Sequence, residues 1–207
     1  MISIIDYGAG NLQSVTKAMN FIGSDCIVTN DKETILNSDG AILPGVGSFG
    51  DAMECMNNSG LVAAVQEFIK TDKPLLGICL GLQLLFGGSD ESKGVEGLNI
   101  LKGSITRIPN DDGKLKIPHM GWNSLNIIRG DGLYKNIEGF PYVYFVHSYF
   151  LKAEQEDIVT AKTTYGTVID ASVNFKNIYA TQFHPEKSGK VGLQILDNFV
   201  NICGGKN

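Results

Sequence analysis

Through its first 86 residues the chain alternates short β-branched runs with helical spacing, and this order restricts the fold more than any other feature. Ile2 to Asp6 reads as a buried strand that ends at glycines. Asn11 to Ile22 follows with helical spacing of Leu12, Val15, Ala18, Met19 and Ile22. Cys26 to Thr29 and Ala41 to Leu43 read as the second and third strands, with a short helix at Lys32 to Leu36 between them. Leu61 to Ile69 is amphipathic and helical. Leu75 to Ile78, introduced by Pro74, is strand, and Leu80 to Phe86 is helix. The second half changes character. Ile117 to Ile128, Tyr142 to Leu151, Ile158 to Thr163, Thr167 to Phe175 and Ile178 to Gln182 read as strands joined by short turns such as Tyr165-Gly166 and Lys176-Asn177. Ser188 to Ile202 closes the chain as a helix. The expected fold is therefore α/β: an open, mainly parallel twisted sheet flanked by helices, with antiparallel strands in the second half. No repeat or long linker divides it, so residues 1–207 are expected to form a single domain.

Composition narrows the function classes. A net charge of -5, with seventeen scattered Lys and Arg, argues against nucleic-acid binding. The N-terminal MISIIDYGAGN has no basic leader, and its apolar stretch is too short to cross a membrane. A cytoplasmic location is the expectation. Four cysteines without a C-x-x-C, and three histidines with none at i, i+4 to another, give no support to a disulfide scaffold or a zinc site.

Gly8-Ala9-Gly10-Asn11-Leu12-Gln13 follows a strand and opens a helix, with Asp31 near the end of the second strand. This approaches the dinucleotide fingerprint, but Gln13 stands where the third glycine should allow close helix–strand packing. A tight strand-to-helix turn accounts for the segment. As a loop at the carboxyl end of a parallel strand it could also wall a site or meet a partner. No cofactor is expected.

Gly77-Ile78-Cys79-Leu80-Gly81 has the layout of a nucleophile elbow with Cys in place of Ser. The flanking glycines relieve crowding in a sharp strand-to-helix turn, and the helix start favours a thiolate at Cys79. Cys26, Cys55 and Cys203 lack such glycines and read as structural. A cysteine nucleophile needs a base. His184, in Thr181-Gln182-Phe183-His184-Pro185-Glu186, sits where a strand leaves the sheet, with Glu186 two residues on to orient the imidazole. Taken singly, His184 could cap a turn and Glu186 could be a solvated acid; together with the elbow they spell a Cys-His-Glu triad. His119 could line the same cleft but reads first as a packed strand histidine, and His147 reads the same way. The Leu80 amide is the natural first oxyanion donor, and Pro44-Gly45-Val46-Gly47-Ser48-Phe49-Gly50 could supply a second. That loop lacks the Gly-Lys-Ser/Thr of a phosphate loop.

Gly77-Ile78-Cys79-Leu80-Gly81-Leu82-Gln83 with Phe183-His184-Pro185-Glu186 resembles the class I (triad) glutamine amidotransferases, whose fold is flavodoxin-like. Asp6-Tyr7-Gly8-Ala9-Gly10-Asn11-Leu12, Pro44-Gly45-Val46-Gly47, His119-Met120-Gly121-Trp122-Asn123 and His184-Pro185-Glu186-Lys187-Ser188 are similar to the glutaminase subunits of imidazole glycerol phosphate synthase. The resemblance spans the chain and departs at no triad position. It implies that Cys79 attacks the carboxamide of L-glutamine, that His184 passes a proton to the leaving ammonia, and that Glu186 orients His184. Leu80 and Val46 would offer oxyanion amides. Gly47, Gln83 and Ser148 would hold glutamine, and Glu91 would meet its ammonium group, with Asp90 as the competing candidate. It implies a (βα)₈-barrel cyclase partner in a heterodimer, met through Asn11, Trp122 and Lys187, and ammonia transfer within the histidine pathway. By themselves those three residues could equally be a helix cap, a core aromatic and a surface lysine. Two alternatives stay open: a glutaminase serving pyridoxal phosphate, anthranilate or GMP synthesis, and a redox-sensing module with a reactive elbow cysteine.

Overall fold

The computed structural model describes residues 1–110 and 113–204. Its main sheet has eight strands in the order β2-β1-β3-β4-β12-β11-β10-β7 among the described residues. These are β1 (Ile2–Ile5), β2 (Cys26–Thr29), β3 (Gly40–Gly45), β4 (Leu75–Cys79), β7 (Asn126–Ile127), β10 (Val159–Tyr165), β11 (Thr167–Phe175) and β12 (Ile178–Thr181). The first four run parallel, and β12 joins them parallel to β4, pairing Ala180 with Gly77 and Thr181 with Ile78. From β12 outward, β11, β10 and β7 continue the sheet antiparallel. The start of this order, 2-1-3-4, is that of flavodoxin-like doubly wound sheets.

Alternation along the strands divides the core in two. Ile5, Ala41, Leu43 and Leu75 face α3 (Phe49–Asn58) and α4 (Leu61–Ile69), through Phe49, Met53, Val65 and Phe68. Ile2, Ile4, Ile42, Leu76 and Ile78 face α1 (Leu12–Phe21) and α6 (Gly189–Ile202), through Val15, Met19, Ile195 and Phe199. Strands covered on both faces read as continuous apolar runs, which is why the sequence reveals them. Asp31 caps α2 (Lys32–Asn37), its carboxylate accepting the Thr34 N–H at 2.8 Å. The expected turns are present, with Gly166 at φ 69° and Lys176 at φ 52°. Gly8 and Gly10, at φ 87° and 144°, make the strand-to-helix turn before α1.

Two ribbons stand off the main sheet: β5 (Gly103–Arg107) with β9 (Tyr149–Ala153), and β6 (His119–Ser124) with β8 (Tyr142–His147). The continuous strand expected over Tyr142 to Leu151 is thus two strands that part at Ser148 to pair with different partners. The run from Ile117 to Ile128 likewise divides at Leu125 into β6 and β7, which belong to different sheets. Helix α3 and strand β5 are additions to the sequence reading. Among the described residues no helix is long and apolar enough to cross a membrane.

Candidate active site

Cys79 ends β4 and immediately precedes α5 (Leu80–Leu84), with φ 55° and ψ -106°. A side chain other than glycine is rarely held there, and strain of this kind collects at functional sites. The flanking glycines are obligatory. A Cβ on Gly81 would lie 1.9 Å from the Leu43 carbonyl oxygen, and one on Gly77 would lie 2.9 Å from the Gly81 oxygen. On neighbouring β3, a Cβ on Gly45 would lie 2.7 Å from the Leu80 Cβ. The elbow is therefore pressed against two parallel strands with no room for side chains at the contacts.

His184 arrives from the end of β12. Its backbone N–H donates to the Tyr144 carbonyl at 2.9 Å, and the Ser188 hydroxyl donates to its carbonyl at 2.6 Å. These bonds fix the imidazole from both sides of its own peptide. The ring's Nδ1–H donates to Glu186 Oε1 at 2.8 Å, with both side chains almost wholly buried. The ring's Nε2 makes no hydrogen bond. Burial alone would lower the His184 pKa, but the sulfur of Cys79 and then the carboxylate of Glu186 outweigh it and push the pKa up to about 9. Cys79 and His184 thus bear on one another electrically across the cavity they share.

That cavity, about 380 Å³, is lined by Cys79, Leu80, Val46, Gly47, Gln83, Glu91, Ser148 and His184 among others. Every residue expected to hold glutamine or its oxyanion is there. Glu91, not Asp90, reaches the cavity; its carboxylate also accepts the Phe49 N–H at 2.8 Å, tying its loop to the start of α3. Asp90 is exposed, its N–H bonded to the Ile105 carbonyl. Glu186 stands behind His184 rather than on the wall. Of the three expected partner contacts, Asn11 precedes α1 without a side-chain capping bond. Trp122 is 57% exposed, which removes the core-aromatic alternative, and Lys187 is half-buried in the turn after His184. Cys26, Cys55 and Cys203 are free thiols, half-buried.

The sequence reading did not single out Gln182, fully buried with Nε2 3.7 Å from Cys79 Sγ. His147, read first as a packed strand histidine, lies at the cavity beside Val146, Ser148 and Tyr149, whereas His119 is not on its wall. The signal available for Gln182 was a long polar side chain ending an otherwise apolar strand. His119 is the expected packed strand histidine, stacked between Phe145 and Tyr165 with ring centroids 4.7 and 4.0 Å away.

Burial pushes His119 down to about 4 and, outweighing the Tyr149 hydrogen bond that raises it, His147 down to about 3. Both are neutral in the folded chain near neutrality, while the unfolded chain takes up protons at about pH 6.5. Stability from these two histidines is therefore full above about pH 6.5 and is lost as pH falls toward about 4. His184 carries the opposite sign: its contribution is full below about pH 6.5 and lost as pH rises through about 9. Melting temperature followed against pH should peak near about pH 6.5 to 7 and fall on both sides. A flat acid limb would contradict neutral buried histidines.

A tight-turn cysteine coupled to a histidine–carboxylate pair at the carboxyl ends of parallel strands has the layout of a thiol-nucleophile site on a doubly wound fold. The chain belongs to the class-I glutamine amidotransferase family, whose profile matches residues 3–203. It is 47% identical over 209 residues to "Imidazole glycerol phosphate synthase subunit HisH" of Geobacillus sp. (strain WCH70), covering 100% of this chain and 99% of that protein. The protein of the same name from Methanocaldococcus jannaschii is 46% identical over 202 residues, covering 98% of this chain and all of the relative. A solved glutamine amidotransferase structure, 18% identical, superposes with a TM-score of 0.76 over 98% of both chains, which shows the shared fold.

Proposed function

We propose that this chain is the glutaminase subunit of an imidazole glycerol phosphate synthase, acting in the cytoplasm as one catalytic domain over residues 1–207. The observation that carries the reading is one cavity shared by the strained Cys79, His184 and the loop Val46–Gly47, with Glu186 bonded to His184 from behind. Near-complete overlap with the two HisH relatives supports the choice of synthase.

In this reading the Cys79 thiolate attacks the carboxamide carbon of glutamine, and the negative charge moves to the carboxamide oxygen. The N–H groups of Leu80 and Val46 receive that oxyanion. With a pKa of about 9, His184 holds its proton near neutrality and delivers it to the departing nitrogen as the C–N bond breaks. Ammonia leaves and a thioester remains. Water, losing a proton to His184, then adds to the thioester; glutamate departs and the thiolate is restored. Gly47, Gln83 and Ser148 hold the substrate, and the Glu91 carboxylate meets its ammonium group. Glu186 keeps the imidazole in the tautomer that turns Nε2 toward the reaction.

Ammonia released into bulk water would be protonated and lost as a nucleophile, so a partner must cover the exit. The outer face of the β6–β8 ribbon suits that role. Met120, Trp122 and Tyr142 are exposed there at 63%, 57% and 60%. Apolar side chains gathered on one ribbon face suit a docking surface, here for a (βα)₈-barrel cyclase that would also meet Asn11 and Lys187. The test mixes the chain with the cyclase and follows glutamate and imidazole glycerol phosphate together. Stoichiometric glutamine-dependent product is expected, and Trp122→Ala should weaken association about tenfold or more. Product formation with a pyridoxal phosphate, anthranilate or GMP synthase instead would overturn the assignment.

A further inference from the structure

Behind the cavity runs a chain of hydrogen bonds whose every proton direction is set by chemistry. Asn123 Oδ1 accepts the Ser124 N–H at 2.9 Å, and its Nδ2 donates to the Thr164 carbonyl at 3.0 Å, so the amide has one orientation. The same Nδ2 faces His119 Nε2 at 3.3 Å, which must therefore accept. The His119 proton then resides on Nδ1, which donates to His147 Nε2 at 3.0 Å. His147 Nδ1 donates to the Tyr149 carbonyl at 2.8 Å. That oxygen also accepts from Gln83 Nε2 at 3.0 Å, and the second proton of Gln83 goes to Gln182 Oε1 at 3.1 Å. Gln182 is thereby oriented with Nε2 toward Cys79 Sγ, 3.7 Å away.

Resting on the glutaminase reading, we infer that this chain, from half-buried Asn123 through buried side chains to Cys79, positions the nucleophile. Gln182 is the donor on the sulfur, and the neutral His119–His147 pair is a positioning element that sets the direction of the donors behind it. Three observations converge. His119, His147, Gln83 and Gln182 are all buried, at 3%, 7%, 4% and 0% exposed, where an unpaired polar group is costly. Among the described residues the histidine pair hydrogen-bonds no carboxylate, and burial favours the neutral form that the directions require. The Gln83 amide has both protons committed, which leaves its carbonyl oxygen for a donor in the cavity. A chain of this kind holds a thiolate without adding a second charge to it, whereas His184 supplies the charge.

The chain begins on β6, the strand that also carries Trp122, but on the opposite, buried face. His119 pairs with His147 across β6 and β8, the ribbon whose outer face is offered to the partner. The ribbon's position is therefore relayed by bonds, not only by packing, to the Tyr149 carbonyl and the glutamine pocket.

The first test needs no variant. In the ¹⁵N-histidine-labelled chain, two-bond proton–nitrogen spectra should show His119 and His147 neutral and protonated on Nδ1 from about pH 6 to 8. An Nε2–H tautomer at either ring, or titration of either in that range, would overturn the proposal. The second test reads Cys79 directly. Iodoacetamide labelling of the Cys79 peptide at neutral pH should slow about tenfold in Gln182→Met, which keeps the side-chain length and removes the donor. His119→Phe keeps the stack on Phe145 and Tyr165 and should slow labelling about threefold, with the His147 nitrogen shifts displaced. Unchanged labelling in a folded Gln182→Met protein would remove Gln182 from the nucleophile. Neither readout requires glutamine turnover. A wild-type chain with the expected spectra but no glutaminase activity in the complex with the cyclase would refute the functional reading and leave this inference standing.

Discussion

Cys79→Ala is expected to abolish glutamine-dependent synthesis, by about 10⁴-fold or more, while synthesis supported by added ammonia in the same complex stays within about twofold. The size follows from the role. The sulfur is the only atom proposed to bond the substrate carbon, and no neighbouring side chain on the cavity wall can replace it. Glu91 is tied to the Phe49 N–H, and Ser148 has neither the elbow's strained turn nor a histidine paired to it. The fold should survive the change, because the sulfur's hydrogen-bond contacts to Val146 and Gln182 are long, 3.9 and 3.7 Å. The check is glutamate release beside product formation, each with glutamine and with ammonium salt. Loss of both activities in a folded complex would make Cys79 structural. Retention of glutamine turnover would end the thioester mechanism.

The elements that proved legible were those whose burial is two-sided. Strands β1, β3 and β4 are apolar at nearly every position because helices cover both faces, so no phase had to be guessed. The elbow was legible for a steric reason, since a cysteine flanked by two glycines has few uses besides a crowded turn. Helix α3 was missed because the glycines from Gly45 to Gly50 read as open loop. Its signal was the Ser48…Asp51 spacing, which the structure uses as a cap: Asp51 N–H donates to Ser48 Oγ at 3.3 Å. The parting of β8 from β9 at Ser148 has no mark in the apolar run, because it depends on which ribbon each half meets. The polar end of the Ile178 to Gln182 run marked Gln182, but its role was illegible for a similar reason. Its partner Gln83 lies 99 positions away, and only the parallel pairing of β12 with β4 brings the two amides together. Trp122 shows the limit of composition. An aromatic on a strand belongs to whichever face its register selects, and β6 turns Met120 and Trp122 outward while His119 turns in.

Gly81→Ala is expected to be the most damaging single-methyl addition in the elbow, costing about 3 kcal/mol or more of stability and most of the glutaminase activity. The added carbon would sit 1.9 Å from the Leu43 carbonyl oxygen and 2.9 Å from its carbonyl carbon, both main-chain atoms of a central strand. A clash with the end of a flexible side chain is relieved by rotation, but here β3 or α5 must move as a unit. If α5 yields, the Leu80 amide leaves the oxyanion position and Cys79 is no longer held at φ 55°. If β3 yields, the Val46–Gly47 loop that continues from it moves too. Either response disturbs the proposed chemistry, so the loss should exceed what the fall in stability alone explains. Gly130→Ala is the control, because a Cβ there meets nothing within 4 Å. Urea denaturation midpoints for the two variants, read with glutamate release under conditions where both are folded, separate the effects. A Gly81→Ala protein with wild-type midpoint and turnover would show that the elbow tolerates a side chain, and the steric basis for the Gly-x-Cys-x-Gly turn would fail with it.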